Sequence, residues 1–495
     1  MDIGMCNMTS CGICFVESGQ WMAGIPFVAE EEQTSWVTEF FDCFSAYNKG
    51  DGVGCMDVVA SQSATIPNRA VTTLSPEEYW FGCQDPFPTQ RRIERRVWDS
   101  SFMVDAVHEQ WLSEAGIRIG QHLTAHERAQ AIQLLWTWKD VFVDQVHDLP
   151  ATDLVVHMIP TVPHAKPYRA RDPIYAKDEV RWQMTELPKM IGTIVDRGAS
   201  PWVAKTTWVS KKETVVDKDG RWPLRMVHTY CQLNDATLKA NYPMKRIEPI
   251  LDNLADPAHR FFFTADAAYG FYAVPIYPPH AYKTAFNTLL GQFYYQRMPM
   301  GLTGAPATYA RLKDITFGPI PSPQAEPAVL AAMDPSIALR YFFDDDFGAA
   351  YTFSQLLNFL HCTYFPRVHW ARLTLKPAKS QFFVASIDPL GMTVGMHKRG
   401  EEVTYGLKAN DAKRGKIEAY PVPQNEKDLE AFIYLTTYLK TLIPRRTELV
   451  RIMKQAVIRE GEQKKRGPAI GFQWGECQQV AFDQVKQAIR EMAAV

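Results

Sequence analysis

The sequence predicts an α+β fold. Short β-rich runs bounded by turn residues are interrupted by helical stretches through the middle of the chain, and a helical tail closes it. The composition is that of an ordinary globular chain: 495 residues, 46% hydrophobic and 22% charged. Wholesale disorder, a collagen repeat and a coiled-coil rod are excluded on that ground. At roughly 150 residues per domain the length accommodates about three domains. No apolar run approaches the ~18–20 residues of a membrane span. The first twenty residues lack a basic segment followed by an apolar core, so secretion is not expected. Nine cysteines are an odd number for a disulfide framework, and reduced intracellular thiols are expected.

Taken in order, residues 1–115 carry no sustained period and read as irregular. They hold one C-x-x-C, Cys11 and Cys14, with no second ligand pair at zinc-finger spacing. The cluster Arg91-Arg92-Ile93-Glu94-Arg95-Arg96 reads as a solvated face. Thr124 and Glu127 have capping-box spacing ahead of an apolar helical face that includes Ala131, Ile132, Leu134, Leu135 and Trp138. A proline-punctuated stretch follows, then a helix over 177–195 ending near Gly198. Strands are predicted over Trp202–Ser210, Leu224–Thr229, Arg260–Ala265, Tyr272–Tyr277, Thr284–Thr288 and Phe293–Met298. Helices are predicted over Lys245–Leu254, Ala305–Ile315, Glu426–Ile443 and Glu476–Ala494.

Charge is unevenly spread. Residues 1–150 hold 9 Lys and Arg against 21 Asp and Glu, whereas residues 151–495 hold 44 against 34. A basic body suits a polyanionic partner, although solvated surface charge explains the same numbers. The stretch that decides is Arg340-Tyr341-Phe342-Phe343-Asp344-Asp345-Asp346-Phe347-Gly348. Adjacent carboxylates among strand-forming aromatics repel, and a cation normally offsets them. Hard oxygens at a hairpin tip suit Mg²⁺; an exposed acidic turn is the plainer alternative. Upstream, Asp266 ends the apolar run Phe261-Phe262-Phe263-Thr264-Ala265, where a helix cap is its alternative. Together, Asp266, Asp344 and Asp345 could hold two metals roughly 3.5–4 Å apart, the arrangement that supports in-line phosphoryl transfer.

The chain from about residue 120 resembles the reverse transcriptase of gypsy-type long-terminal-repeat retrotransposons. Phe342-Phe343-Asp344-Asp345 resembles the family's Tyr-x-Asp-Asp box, and Ala265-Asp266-Ala267-Ala268-Tyr269-Gly270-Phe271-Tyr272 its Leu-Asp-Leu-x-Ser-Gly-Tyr-His. Lys283-Thr284-Ala285-Phe286 is identical to the family's KTAF, and Met298-Pro299-Met300-Gly301-Leu302-Thr303-Gly304-Ala305-Pro306-Ala307-Thr308-Tyr309 resembles MPFGLTNAPATF. Ser200-Pro201-Trp202 with Val209-Ser210-Lys211-Lys212 resembles the fingers turn and its lysine-rich strand. Any one of these is weak; their order and spacing together are specific.

The resemblance implies a right-hand polymerase. Fingers would occupy residues 176–262, a palm with an antiparallel sheet 263–400, a helical thumb 401–465 and the start of a connection 466–495. Residues 116–175 would lead in, and helices after residue 400 would face the duplex. It implies RNA-directed DNA polymerase activity with two Mg²⁺ ions, Mn²⁺ being the alternative metal, and an RNA template, a DNA primer and dNTPs as partners. No membrane partner and no particular oligomeric state follows. An intracellular location, cytoplasmic or nuclear, is expected. Asp266, Asp344 and Asp345 match the metal-binding carboxylates. Lys211 and Arg225 match the cations that hold the triphosphate, as a point charge and a bidentate fork, with Lys212 as the alternative to Lys211. Phe271 falls at the steric gate that favours deoxynucleotides. Met300 and Gly301 fall near the templating pair. Lys379 matches a general acid for the pyrophosphate leaving group, and Leu390-Gly391 a primer-grip turn.

The chain departs from the family pattern in places. Leu-Asp-Leu is Ala265-Asp266-Ala267, the box begins with Phe342, and Gly304 replaces an Asn. The Asp-Tyr-Arg of the fingers is Thr229-Tyr230-Cys231. The triple Asp344-Asp345-Asp346 leaves the frame of the acidic pair open, with Asp344 and Asp345 preferred. No protease-like Asp-Thr-Gly or Asp-Ser-Gly occurs, and a ribonuclease H module is expected to be absent. An inactive relic that binds nucleic acid is the rival reading. An RNA-dependent RNA polymerase is a third, opposed by the bulk of Phe271.

Overall fold

A computed structural model describes residues 91–171, 174–210, 223–239, 242–318, 333–399, 402–437, 439–440, 443–459 and 469–491, with a short antiparallel pair, β1 (Cys14–Phe15) and β2 (Trp21–Met22). The central sheet has five strands in the order β10 (Ile337–Phe342), β11 (Asp345–Ala350), β7 (Phe261–Asp266), β12 (Gln381–Val384) and β3 (Arg118–Ile119). All neighbours are antiparallel except β12 and β3.

Alternation along these strands builds two cores, because successive side chains leave opposite faces of a sheet. Phe263, Ala265, Leu339, Tyr341 and Ala350 enter one core. There they meet α2 (Ala125–Thr137), α6 (Ala305–Phe317), α7 (Phe353–Phe359) and α8 (Phe365–Trp370). Phe262, Ala338, Phe347 and Ala349 enter the other. That core is completed by α5 (Ile247–Leu254), α10 (Glu426–Thr437), α11 (Arg446–Lys454) and α12 (Glu476–Glu491). The sheet therefore joins the middle of the chain to its tail.

Three smaller antiparallel units lie beside it. β4 (Val195–Arg197), β9 (Gly291–Tyr295) and β8 (Phe286–Thr288) form one sheet. β5 (Lys205–Ser210) and β6 (Leu224–Thr229) form a ribbon. β13 (Ser386–Ile387), β14 (Met392–Arg399) and β15 (Glu402–Ala409) form the third. The tail adds α9 (Asp411–Glu418) and a ribbon of β16 (Val457–Arg459) and β17 (Ala469–Phe472).

Local chemistry explains the element ends. α2 starts in the expected capping box: the Glu127 amide donates to Thr124 Oγ1 at 3.2 Å, and the Thr124 amide donates to Glu127 Oε2 at 2.9 Å. The helix expected over 177–195 is α3 (Lys177–Thr185) followed by one turn, Leu187–Met190. Pro188 breaks it by removing an amide donor, and Gly192 at φ +82° turns the chain into β4.

The strand expected over Tyr272–Tyr277 is instead a 3₁₀ turn, Gly270–Ala273, followed by isolated bridges. Pro275 and Pro278 cannot donate to a ladder there. Residues 1–115 are not irregular throughout, because α1 (Ala106–Ala115) forms between an Asp105 cap and Gly116 at φ +71°. Nor is the arginine cluster merely solvated. Arg91 donates to Asp153 Oδ2 at 2.9 Å and to the Trp370 carbonyl at 2.7 Å. Arg96 makes a bidentate pair with Asp140 and lies 4.3 Å over the Trp138 ring. The first element after residue 400 is a strand rather than a helix, since Met392–Arg399 and Glu402–Ala409 pair over eight rungs.

Candidate active site

The site grows from the tip of the β10–β11 hairpin. Phe342 and Asp345 form its last rung, leaving Phe343 and Asp344 as a two-residue loop. Phe343 sits at φ +50°, a left-handed conformation uncommon outside glycine. The Ala267 amide donates to the Asp344 carbonyl at 2.7 Å, and Asp345 opposes Asp266 across the β11–β7 ladder. Strand pairing thus brings the three carboxyl-bearing residues to one end of the central sheet.

Electrostatics at this end are unfavourable without a cation. Burial pushes the Asp344 carboxyl up to about 6, and the charges of Asp266, Asp345 and Asp346 add to the rise against the opposing Lys313. Burial likewise pushes Asp345 up to about 6, reinforced by Asp266 and Asp346 and opposed by Lys379 and Lys313. Asp344 Oδ1 is buried and has no hydrogen-bond partner among the described residues. A Cβ at Gly270 would collide with that oxygen and come within 2.5 Å of the Tyr309 hydroxyl, so only glycine lets the chain pass.

The third aspartate of the triple is different. Asp346 is 1% exposed; Lys313 Nζ lies 2.5 Å from its Oδ1, and the Tyr364 hydroxyl donates to its Oδ2 at 2.9 Å. It is neutralised inside the protein, while Asp344 and Asp345 stay at the tip.

Among the described residues, no three His, Cys, Asp or Glu side chains already converge into a metal cage. Mg²⁺ is commonly held by one or two carboxylates plus substrate phosphates, with no all-protein cage. Two carboxylates that resist ionising side by side, one with an orphaned buried oxygen, fit such a hard cation.

Other expected site residues are distributed around this end. Phe271 is half-buried, with its ring 5.4 Å from that of Tyr309. Lys379 Nζ lies 2.9 Å from Asp266 Oδ2. Burial raises the Tyr272 phenol, and the charge of Arg225 on β6 opposes that rise, which places Arg225 near the residue following Phe271. Met300 is 46% exposed, and Gly301 turns at φ +95° against the His228 carbonyl. Leu390 and Gly391 belong to a different sheet, at a turn where both have positive φ and Lys413 Nζ donates to the Leu390 carbonyl at 3.2 Å. Lys211 and Lys212 lie outside the described residues.

Sequence reading missed Asn234, on α4 (Cys231–Ala236). Its Nδ2 donates to the Gly301 carbonyl at 2.8 Å, and its Oδ1 accepts from the Thr303 amide at 2.9 Å. One side chain thus braces the Met300–Gly301 loop. Its partners lie 67 and 69 residues away, and no local pattern encodes that.

Comparison with known proteins agrees with this geometry. The family described as reverse transcriptase (RNA-dependent DNA polymerase) matches residues 211–394. The Pol polyprotein from transposon 297 of Drosophila melanogaster is 26% identical over 332 residues, covering 67% of this chain and 29% of that protein. The Pol polyprotein from Drosophila transposon gypsy is 24% identical, covering 71% of this chain and 32% of the relative. The chain therefore spans about a third or less of the length of these relatives. Among solved structures, foamy viral protease-reverse transcriptase in complex with double-stranded DNA aligns over 83% of this chain and 63% of its own, with a TM-score of 0.60 and 18% identity. The same viral protein with an RNA/DNA hybrid gives a TM-score of 0.57 and 16% identity, over 82% of this chain and 48% of its own. These last likenesses establish the fold. With the match over residues 211–394 and the polyprotein relatives, they show that this chain carries a reverse transcriptase domain and is similar to retrotransposon Pol polyproteins.

Proposed function

We propose that this chain is an RNA-directed DNA polymerase that adds dNMP to a primer 3′-hydroxyl, with Asp266, Asp344 and Asp345 as its metal-binding carboxylates. The observation that carries the reading is the hairpin tip, where Asp344 and Asp345 are both pushed up to about 6 beside Asp266. In this reading the central sheet is the palm, the ribbon of β5 and β6 belongs to the fingers, and the helices from α10 onward form thumb and connection. The nucleic acids in the foamy viral complexes, an RNA/DNA hybrid and double-stranded DNA, are the class of partner proposed here.

The three carboxylates would hold two Mg²⁺ ions, which when bound supply charge neutralisation on the triphosphate and a lowered pKa at the 3′-hydroxyl. The protein's own part is positioning. Arg225, with Lys211 or Lys212, holds the triphosphate. Phe271 fills the space a ribose 2′-hydroxyl would need. Met300 and Gly301, braced by Asn234, back the templating pair, and the Leu390–Gly391 turn holds the primer strand. The primer 3′-hydroxyl gives up its proton to water, its oxygen bonds to the α-phosphorus while the bond to the β-phosphate oxygen breaks, and pyrophosphate leaves. Lys379, whose Nζ lies 2.9 Å from Asp266 Oδ2, would deliver a proton to the leaving pyrophosphate.

The test is extension of a DNA primer on an RNA template with Mg²⁺, comparing dNTPs with NTPs and using Asp344→Asn as control. Incorporation of dNTPs, lowered at least ~10³-fold by the substitution, is the expected result. Salt-sensitive template binding without incorporation would replace this reading with that of an inactive nucleic-acid binder.

A further inference from the structure

We propose that the adjacent residues Lys313 and Asp314 of α6 form a positioning clamp that fixes the acidic hairpin, Lys313 holding β11 through Asp346 and Asp314 holding β10 through Tyr341. The inference deepens the polymerase reading above and rests on it for its catalytic consequence.

The register carries the argument. Tyr341 and Asp346 oppose one another on the rung just behind Phe342 and Asp345, so their side chains share one face of the hairpin. Both are buried, at 3% and 1% exposure. On that face the Lys313 ammonium forms an ion pair 2.5 Å from Asp346 Oδ1, and the Tyr364 hydroxyl donates to Oδ2 of the same carboxylate. One residue further along the helix, Asp314 Oδ1 accepts from the Tyr341 hydroxyl at 2.7 Å. Its Oδ2 accepts from the Tyr242 hydroxyl at 2.6 Å, and Lys245 Nζ lies 2.9 Å from Oδ1 while also standing 3.9 Å from the centre of the Tyr341 ring. Each strand of the hairpin is thus tied by charge to the same turn of one helix.

A pair this deeply buried is a poor device for stability alone. Desolvation offsets most of the Coulombic gain, and apolar residues of similar volume commonly serve as well. Its directional contacts instead fix where the rung sits. Asp345 lies one rung from the clamp and Asp344 two residues from Asp346, so slack in that rung moves both tip carboxylates. Displacements of about 1 Å cost on the order of a hundredfold in rate.

The experiment measures the pre-steady-state burst of dNTP addition in Lys313→Met, Asp346→Leu and the double variant. A loss of folded protein lowers burst amplitude; a misplaced site lowers burst rate. Each single substitution leaves one buried charge uncompensated and is expected to slow the burst at least about tenfold with primer-template affinity unchanged. The double variant restores an uncharged contact and is expected to recover to within about threefold. Tyr341→Phe breaks only the Asp314 half, keeps the ring, and is expected to slow the burst about threefold. Unchanged burst rates in the single variants, or a double variant as slow as the product of the singles, would overturn the clamp. If the unsubstituted chain extends no primer, the polymerase reading fails and hydrogen exchange decides the clamp. Amides of residues 341–347 should then exchange at least about tenfold faster in Lys313→Met, with β14 and β15 unchanged. Equal exchange at 341–347 would reject it.

Discussion

At the scale of the residue, the site is governed by carboxylates that the fold makes costly to ionise. Burial pushes the Asp345 carboxyl from its ordinary 3.8 up to about 6 in the folded protein. The folded state therefore holds its proton more tightly than the unfolded chain. Stability from this group is present below about pH 4 and is lost as pH rises through about 6. In metal-free protein, Asp345→Asn is expected to stabilise by on the order of 1–2 kcal/mol near pH 7.5, with the gain gone near pH 4. Urea melts in a chelator at the two pH values check this, and an advantage independent of pH would reject it. Added Mg²⁺ should raise the melting temperature of the unsubstituted protein and leave Asp345→Asn unmoved. Burial and the neighbouring aspartates together raise the cost of ionising Asp345, and a cation held as proposed above would offset it.

At the scale of the element, the hairpin and the strand beside it depend on close packing. Gly348 of β11 opposes Phe263 of β7, and a Cβ there would collide with the Phe263 ring. That ring stacks on Phe382 at 6.0 Å and packs at 4.9 Å from Tyr364, the partner of Asp346. Gly348→Ala is expected to destabilise the protein by about 1–3 kcal/mol through overpacking. A fall in the urea midpoint at constant slope is the measurement; an unchanged midpoint would mean the ring gives way freely. Strand alternation was legible here, because Phe261-Phe262-Phe263-Thr264-Ala265-Asp266 reads as a strand ending in a carboxylate. The β14–β15 hairpin was not legible. Its strands, Met392–Arg399 and Glu402–Ala409, mix polar, charged and apolar residues in too irregular a pattern to separate from loop.

At the scale of the whole molecule, the central sheet serves both cores, so the tail from α10 onward is packed on the back of the strands that carry the acids. None of the described helices is long and apolar enough to cross a membrane. Residues 151–495 carry 44 basic against 34 acidic side chains, and phosphate contacts made by such a body release counterions. Binding to a primer-template duplex is expected to weaken at least about tenfold between roughly 50 and 200 mM salt, with little dependence on base sequence. Fluorescence anisotropy across a salt series measures it, and a flat response would argue against binding through the phosphate backbone.

What the sequence determined by itself was whatever short-range chemistry writes into neighbouring residues. The Thr124–Glu127 cap, the Asp266 strand end, the hairpin tip bearing Asp344 and Asp345, and the ordered motifs that carry the family resemblance are all of this kind. Period and turn preference act over a few residues and survive in a linear reading. Tertiary structure alone decided which distant groups meet. It separated Asp346 from Asp344 and Asp345 by giving it Lys313, joined Arg96 to Asp140, and braced Gly301 with Asn234. Such pairings depend on how strands and helices are connected in space, and burial, which sets their electrostatic weight, exists only once the chain has folded.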